Sequence, residues 1–364
     1  METRRFKITG FLMSICIIFF IASCVGGNSV EKQDDSAIHI FPLKNQEAIQ
    51  ILVSEDSIYY VTSVKAEKNK IYRLPFEENE AGVFITSTYA NGHVNLIRPT
   101  RQGEWLVFID FQDESNLVWK LMAVNIKSKA TQILDVGNGD TNSWPGPFVD
   151  VYFDKVVWTV TRQSINAGCV QTMILLVDLS MDTTHEIDKA CVNNNYMWVF
   201  PRLFDQYLVV EQDLPEMKDS ANNIYLFDLI KGKKERLTEN GRSSMPSIWF
   251  PWIAWKASPR FSFGMTELYH LENQQITAIP NSLREQDRLE ARISNGWVYW
   301  EPTALQPLYV YNTLEQKMIT VIEPGINEHI IAVSMFEDII AWSTDLDFEH
   351  SHVEDSTLSW MKLH

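Results

Sequence analysis

The sequence is short of cysteine, of basic residues and of any long helical pattern, and each shortage excludes a class of protein. Four cysteines in 364 residues exclude a disulfide-dense miniprotein. Only 31 Lys and Arg residues stand against 47 Asp and Glu, and a net charge of −16 repels phosphate backbones, so we expect no nucleic-acid partner. The apolar runs are short, with no sustained 3.6-residue stripe, which excludes a helical fold.

The motifs of common enzyme classes are also missing. The chain has no G-x-S-x-G elbow, no phosphate-binding loop and no H-E-x-x-H metal motif. A pair of carboxylates brought together by folding, as in glycosidases, stays open because sequence spacing does not reveal it. We therefore expect a binding protein and keep an enzyme as the alternative.

What the chain does contain is enough apolar material to fold. Hydrophobic residues make up 45% of the sequence, which excludes a disordered chain, and the length allows one large domain or two modest ones.

At the N-terminus, Arg4, Arg5 and Lys7 precede an almost uncharged apolar run at 8–21 and small residues up to Cys24. This pattern indicates a secretory signal peptide, because the run is short for a membrane span of about 20 residues.

The last four residues of this signal, IASC at 21–24, closely resemble a bacterial lipobox. The resemblance implies that residues 1–23 are removed and that Cys24 is acylated, which anchors the protein to a membrane of the bacterial cell envelope on its extracytoplasmic face. An ordinary signal peptide with a coincidental cysteine is the alternative. Val25 in place of Asp permits an outer-membrane destination, and a Gram-positive cell surface stays open. The small, polar and charged residues 24–36 predict a flexible tether.

The rest of the chain repeats one short apolar strand seven times. The copies lie at 58–61, 105–108, 155–158, 207–210, 252–255, 297–300 and 339–342. Their spacing of about 42 to 52 residues is the period of a four-stranded propeller blade. They are apolar without alternation, as expected of strands covered on both faces. The sequence therefore predicts an all-β protein with a single β-propeller domain at 37–364, of seven four-stranded blades, with six or eight as alternative counts.

The two ends of the predicted propeller complete one blade. The last copy provides strands at 330–333, 339–342 and 357–361 and lacks a fourth, whereas residues 37–43 precede the first copy and have no blade of their own. We expect 37–43 to supply the missing strand, because closing the ring in this way removes an exposed sheet edge.

The repeat is similar to that of TolB-like β-propellers. The similarity rests on Ile-Tyr-Leu-Phe-Asp-Leu at 224–229, on the Gly-Lys and Arg-Leu-Thr that follow at 232–233 and 236–238, and on central strands containing Ile-Ala-Trp or Val-Val-Trp. It covers nearly all of 37–364, and about three copies show it clearly. The resemblance implies architecture rather than activity. The namesake of that family has an extra N-terminal domain and six blades, and this chain shows neither.

Two cysteines in the predicted propeller flank a hairpin. Its strands, at 172–179 and 183–188, turn at 180–182, so pairing outward from the turn sets Cys169 roughly opposite Cys191. Outside the cytoplasm we expect this pair to form a disulfide. Two buried thiols are the alternative.

The long connections of the predicted propeller share one face. In this fold the connections from second to third strand and from one blade to the next lie together, and here they include 111–117, 135–146, 161–171, 212–222, 257–265, 280–288 and 344–356. Long loops are usually kept where they bind something, so we expect the ligand on this face. Charged residues just past the central strands are the candidates for the mouth of the channel: Asp110, Arg162, Glu211, Lys256 and Glu301. Some of them could instead pair with one another.

One loop offers a candidate metal site. His350 and His352 lie two apart among five acids in residues 345–355, and on an extended segment they could ligate a divalent metal. The spacing is unspecific and a solvated acidic loop is the alternative, so we expect no cofactor. Propeller lyases that resemble this repeat family use several histidines around the channel, whereas the eight histidines here have no recurrent position.

Together these patterns predict a lipid-anchored, monomeric propeller that binds an envelope protein or peptide through its long-loop face. The alternative is a channel enzyme of the lyase or glycosidase type that acts on polysaccharide or cell-wall fragments, with metal assistance from His350 and His352.

Overall fold

The computed structural model describes most of the predicted propeller. The described residues are 31–32, 38–43, 46–62, 70–78, 80–113, 115–138, 146–164, 167–181, 183–192, 197–213, 222–258, 264–279, 290–300, 306–325, 328–346 and 356–364. Their regular structure is β-strand, in seven sheets that form the blades of a propeller. In this part of the chain no helix has the length and apolar character to cross a membrane.

Two strands precede the blades, β1 (Glu31–Lys32) and β2 (His39–Pro42). Blade 1 contains β3 (Ala48–Val53), β4 (Ser57–Thr62), β5 (Lys70–Pro75) and β6 (Gly82–Thr86). Blade 2 contains β7 (His93–Leu96), β8 (Trp105–Phe111), β9 (Val118–Asn125) and β10 (Thr131–Asn138). Blade 3 contains β11 (Phe148–Tyr152), β12 (Lys155–Ser164), β13 (Cys169–Asp178) and β14 (Thr183–Cys191).

Blade 4 contains β15 (Met197–Phe204), β16 (Tyr207–Asp213), β17 (Asn223–Asp228) and β18 (Lys233–Arg236). Blade 5 contains β19 (Ser243–Trp249), β20 (Trp252–Ala257), β21 (Met265–His270) and β22 (Gln275–Ala278). Blade 6 contains β23 (Ala291–Ser294), β24 (Trp297–Trp300), β25 (Leu308–Asn312) and β26 (Lys317–Ile322). Blade 7 contains β27 (Glu328–Phe336), β28 (Ile339–Leu346) and β29 (Thr357–Lys362).

The count of seven blades is confirmed, and each of the seven predicted repeats is the second strand of its blade. These strands are β4, β8, β12, β16, β20, β24 and β28. Every residue of β4 and of β24 is buried, as expected of a strand that neighbouring blades cover on both faces. The lack of alternation that singled them out in the sequence thus follows from their position.

The core of the protein lies between the blades. Seven hydrophobic clusters in the described residues fill the seven interfaces of neighbouring blades, including the one between blade 7 and blade 1. Large aromatic side chains fill several of these wedges, and Trp158, Trp198, Trp255 and Trp342 are at most 1% exposed. Because every interface is filled, the ring is continuous.

The N-terminal strand closes the ring as predicted. β2 pairs antiparallel with β29, with His39 opposite Trp360 and Pro42 opposite Thr357, and takes the outer position of blade 7. Leu43 extends the pairing through a 2.9 Å hydrogen bond from its backbone N–H to the carbonyl oxygen of Ser356. Its side chain is buried between blades 7 and 1.

Part of the predicted tether also joins the propeller. The two residues of β1 pair in parallel with the outer strand of blade 6, Glu31 opposite Ile319 and Lys32 opposite Thr320. The expectation of a flexible tether over 24–36 therefore does not hold at these two residues. The sequence offered no sign of this pairing, because two charged residues carry no strand pattern.

The chain direction defines two faces of the ring. The long-loop face carries the connections from second to third strands and from blade to blade, and the tight-turn face carries the others. On the tight-turn face most connections are short, such as 153–154, 205–206 and 295–296. The exception is residues 97–104, an eight-residue segment between β7 and β8 that the sequence analysis did not single out.

Candidate functional site

Residues 97–104 close the central channel at the tight-turn face. The Arg101 guanidinium carbon lies 4.8 Å from the ring centroid of Phe153 in blade 3 and 5.3 Å from that of Trp249 in blade 5. Its Nη2 lies 3.2 Å from a carboxylate oxygen of Glu337 in blade 7. One side chain can contact blades 3, 5 and 7 together only if it lies near the axis of the ring. Arg101 is therefore a plug at this end of the channel.

The backbone of this segment is held in place by blade 3. The Thr100 N–H donates a 2.8 Å hydrogen bond to the carboxylate of Asp150, and the Thr100 hydroxyl donates a second. Arg101 exchanges two backbone hydrogen bonds, with Val151 and Phe153. At Gly103 a Cβ atom would lie 2.7 Å from the Cα atom of Phe153, so glycine allows this close approach.

Behind this plug, charged side chains from four blades meet in what we call the channel cluster, composed of Arg98, Asp150, Arg202, Glu290 and Arg292. Arg202 of blade 4 donates from Nε, at 3.1 Å, and from Nη2 to one oxygen of Glu290. Arg292 of blade 6 donates from Nη2, at 2.9 Å, to the other oxygen of Glu290. The contact between Arg202 and Glu290 crosses from blade 4 to blade 6.

Arg98 extends the cluster to blade 7. Its carbonyl oxygen accepts a 3.2 Å hydrogen bond from Arg292, and its own Nη1 donates at 3.2 Å to the carbonyl oxygen of Val333. Asp150 has a separate set of donors, since its second oxygen accepts a 2.7 Å hydrogen bond from the backbone N–H of Leu203 in blade 4. The cluster thus joins blades 2, 3, 4, 6 and 7 across the axis.

The electrostatics of the channel cluster favour an additional negative charge. Burial alone would raise the pKa of Glu290, but Arg202 and Arg292 outweigh it and lower that pKa to about 2. Burial raises the pKa of Asp150, although Arg202 and the hydrogen bonds from Thr100 and Leu203 oppose this shift. Burial, together with repulsion by Arg292, lowers the pKa of Arg98 to about 9. In the described residues, the cluster therefore sets three guanidinium groups against two carboxylates, of which Glu290 is firmly ionised.

The donors of this cluster suit an anion rather than a metal cation. Guanidinium groups donate hydrogen bonds and do not coordinate cations, and their fork geometry matches carboxylates and phosphates. No group of three or more His, Cys, Asp or Glu side chains able to hold a metal occurs in the part of the chain that the structure describes. His350 and His352 lie outside the described residues.

Two of the residues predicted at the mouth of the channel are buried carboxylates that hold neighbouring segments. Asp110 lies inside β8 and accepts hydrogen bonds from the Ser87 hydroxyl and from the backbone N–H and hydroxyl of Thr88, the latter two at 2.8 and 2.7 Å. Glu211 lies inside β16 and accepts from the Asn222 amide and, at 2.8 Å, from the backbone N–H of Met245. Both therefore bind connections between strands and blades.

The other predicted residues have different surroundings. Lys256 lies inside β20 and is 2% exposed. Arg162 is partly exposed on β12 and pairs with Asp135 of blade 2, whose other oxygen accepts a 2.8 Å hydrogen bond from Trp158 Nε1. Glu301 lies outside the described residues. The four described residues lie within longer strands than the four-residue repeats suggested, so they do not follow the strands as expected.

The sequence analysis did not identify the residues of the channel cluster, because none of them belongs to a recognisable motif. The local signal that could have found them is a charged residue inside the apolar first strand of a blade, as at Val149-Asp150-Val151 and Ala291-Arg292-Ile293. A charge in such a strand needs a buried partner. The sequence does not identify that partner, because Glu290 lies 88 residues from Arg202 and Arg292 lies 194 residues from Arg98.

The predicted disulfide is present. Cys169 and Cys191 form it with a Cα–Cα distance of 5.8 Å. In the strand pairing Cys191 is opposite Gln171, two residues from Cys169, and the register shifts by one residue between Ile174 and Leu175. The bond joins the ends of β13 and β14 near the long-loop face.

Removing this disulfide is expected to lower the free energy of unfolding by about 3 kcal/mol. The bond closes a segment between cysteines 22 residues apart, and its loss gives the unfolded chain more freedom. The check is urea unfolding of the Cys169→Ser/Cys191→Ser variant, with and without reductant. Wild-type protein in reductant should match the variant, and equal stability of oxidised wild type and variant would contradict the prediction.

Comparison with known proteins gives the fold alone. No family model and no curated protein matches the chain. The β-propeller domain of the Trilobed protease from Pyrococcus furiosus has 13% identity and a TM-score of 0.59, over 89% of this chain and 94% of that one. An acylaminoacyl peptidase from Pyrococcus horikoshii has 12% identity and a TM-score of 0.58, over 82% of this chain and 49% of that one.

An oligogalacturonate lyase solved in complex with manganese has 9% identity and a TM-score of 0.59, over 92% of this chain and 99% of that one. The fold of this protein is thus similar to folds found in proteins with different activities. Identities this low establish the β-propeller architecture and leave the activity to be argued from the site.

Proposed function

We propose that this protein is a lipid-anchored β-propeller of the bacterial cell envelope that binds an envelope protein or peptide through its long-loop face. The observation that carries the proposal is the plug formed by Arg101. Because the tight-turn end of the channel is closed, the long-loop end is the approach that remains for a ligand. We also propose that this propeller is TolB-like, because of the repeat at 224–238.

The chemistry of the channel cluster indicates which part of a partner binds. Three guanidinium groups against two carboxylates favour an acidic group, such as an Asp or Glu side chain of a peptide segment. In a partly buried channel such a contact is stronger than at an exposed surface. We infer that the partner presents an acidic segment to the channel from the long-loop face.

The compartment is supported by two features. The Cys169–Cys191 disulfide is typical of proteins outside the cytoplasm, and the resemblance of residues 21–24 to a lipobox implies an acylated cysteine at the start of the mature chain. Several acyl chains hold a protein at a membrane stably.

Replacing Cys24 by alanine tests the anchor. The wild-type protein should incorporate radiolabelled palmitate and partition with membranes, whereas Cys24→Ala should lose the label and keep residues 1–23. The check is palmitate labelling and mass spectrometry of the N-terminal peptide. Equal labelling of wild type and Cys24→Ala would show that the anchor is not at this residue.

The binding face is tested by photocrosslinking in living cells. A photoreactive amino acid at exposed Ser115, on the long-loop face, should give an adduct with one partner protein. The matched control is the same amino acid at exposed Lys127, in a tight-turn connection, where we expect no adduct. Adducts from Lys127 alone would contradict the assignment of the binding face.

A second candidate is a channel enzyme acting on acidic polysaccharide or cell-wall fragments, and it rests on the likeness to oligogalacturonate lyase over nearly the whole of both chains. The channel cluster suits an acidic sugar as well as an acidic peptide. The enzyme predicts release of unsaturated or reducing ends from such polymers, and inhibition by chelators if His350 and His352 hold a metal. No release, together with a protein adduct at Ser115, would favour the binding protein.

A further inference from the structure

The path of the N-terminal chain determines which face of the propeller can meet the membrane. β2 is antiparallel to β29, so it starts at the tight-turn face, where His39 pairs with Trp360 near the end of β29. β1 is parallel to β26, so it too runs away from the tight-turn face. Both N-terminal strands therefore begin on the side of the tight turns.

The segment before β1 is short. Cys24 and Glu31 are seven residues apart. A fully extended chain covers about 3.3–3.6 Å per residue, so this segment spans at most about 25 Å. An acyl anchor at Cys24 would then hold the outer edge of blade 6 within that distance of the bilayer.

The tight-turn face carries exposed apolar side chains on blade 6, which bears this edge, and on blades 3 to 5. Leu314 is 84% exposed in the outer turn of blade 6, beside the strand that pairs with β1, and Ile230 is 76% exposed in the outer turn of blade 4. Met181 in blade 3 is 66% exposed and Phe250 in blade 5 is 39% exposed. Single exposed apolar residues are common, but these four lie at turns of four consecutive blades on one face.

Charge separates this apolar region from the rest of the tight-turn face. On blades 1 to 3 the face has a cavity of about 430 Å³ with an acidic lining that includes Glu55, Asp56, Glu104 and Asp154. Anionic headgroups repel such a lining. Near Ile230, by contrast, the side chains of Lys231 and Lys233 are 67% and 66% exposed and pair with Asp228 and Glu235. Lysines beside apolar side chains are typical of surfaces that lie on a bilayer.

We propose that Met181, Ile230, Phe250 and Leu314 form a membrane-contact patch that lies against the lipid bilayer, so that the long-loop face points away from it. This inference rests on the anchor at Cys24 proposed above. The patch is on the face that the plug closes, so contact with the bilayer leaves the long-loop end of the channel accessible to a partner.

The test uses the full-length acylated protein in vesicles of phosphatidylethanolamine and phosphatidylglycerol. An environment-sensitive fluorophore is attached to Leu314→Cys, to Ile230→Cys and, as the matched control on the long-loop face, to Ser115→Cys. Labelling is specific because Cys169 and Cys191 form a disulfide and Cys24 is acylated. All three positions are exposed, so the variants should fold. We expect a headgroup-attached quencher to reduce fluorescence several-fold more at 314 and 230 than at 115.

Vesicle flotation separates the two ways in which the inference can fail. If the protein floats with the vesicles but 115 is quenched as much as 314 and 230, or none of the three is quenched, the orientation is wrong and the anchor stands. If the protein carries no acyl chain and does not float, the anchor is wrong and the orientation fails with it.

Discussion

Replacing Glu290 by glutamine should lower the free energy of unfolding by about 3–5 kcal/mol, one of the largest effects expected in this protein. The Glu290 carboxylate accepts hydrogen bonds from Arg202 and Arg292, whose side chains are only 7% and 13% exposed. Glutamine keeps the shape but removes the charge, so two largely buried guanidinium groups lose their common partner. The loss should appear in urea unfolding at neutral pH.

The matched control is Glu104→Gln. Glu104 also forms an ion pair, with Lys127, but both side chains are more than half exposed. Exposed pairs contribute little because water screens them, so this variant should unfold almost as the wild type does. If Glu290→Gln were no more damaging than Glu104→Gln, the channel cluster would not stabilise the ring.

The same variant has a defined pH dependence. The pKa of Glu290 is about 2 in the folded protein, against an ordinary value of 4.5. A depressed carboxyl pKa stabilises the fold above the ordinary value, and that stabilisation is lost as the pH falls toward the folded value. The stability difference between wild type and Glu290→Gln should therefore shrink from about pH 4.5 to about pH 2. A difference that stays constant over this range would contradict the assignment.

Deleting residues 25–43 should lower the free energy of unfolding by roughly 5 kcal/mol and the melting temperature by about 10 °C. The deletion removes β2 and Leu43, which is 2% exposed, and leaves β29 as an unpaired edge. It also uncovers apolar surface between blades 7 and 1, because Phe41 and Leu43 pack in that interface. The change can be measured by thermal unfolding followed by circular dichroism.

Deletion of residues 25–30 is the control, because it stops short of β1 and leaves both N-terminal strands in place. Its melting temperature should equal that of the wild type. A melt of the 25–43 deletion that overlaps the control would show that β2 does not stabilise the ring. Association of the larger deletion into oligomers would agree with an exposed strand edge at β29.

Much of the architecture could be predicted because it depends on neighbouring residues. The seven central strands are covered on both faces, and that environment appears in the sequence as apolar runs such as Trp-Val-Tyr-Trp at 297–300. The last repeat lacked a fourth strand and residues 37–43 had no blade of their own, so the sequence predicted that 37–43 complete blade 7. Cys169 and Cys191 could be paired because they flank one hairpin, although the residue directly opposite Cys191 is Gln171.

The candidate site could not be predicted in the same way. Arg98, Arg202, Glu290 and Arg292 meet only because three blades converge on one axis. Asp110 and Glu211 looked like ligand-facing charges at strand ends, yet the strands continue past them and their carboxylates bind the chain itself. A charge in a sequence does not show whether its partner is a ligand or a backbone N–H.

The all-β class, the seven repeats, the closure of blade 7 by the N-terminal strand and the cysteine pair were all predicted from the amino-acid sequence. These features follow from strand patterning and spacing, which are local in the chain. The tertiary structure was needed to show that residues 97–104 close the channel, that Arg202 and Arg292 both bind Glu290, and that β1 and β2 begin at the tight-turn face. The physical reason is that these contacts join residues that are far apart in the chain, and closure of the ring brings them to one axis or one face.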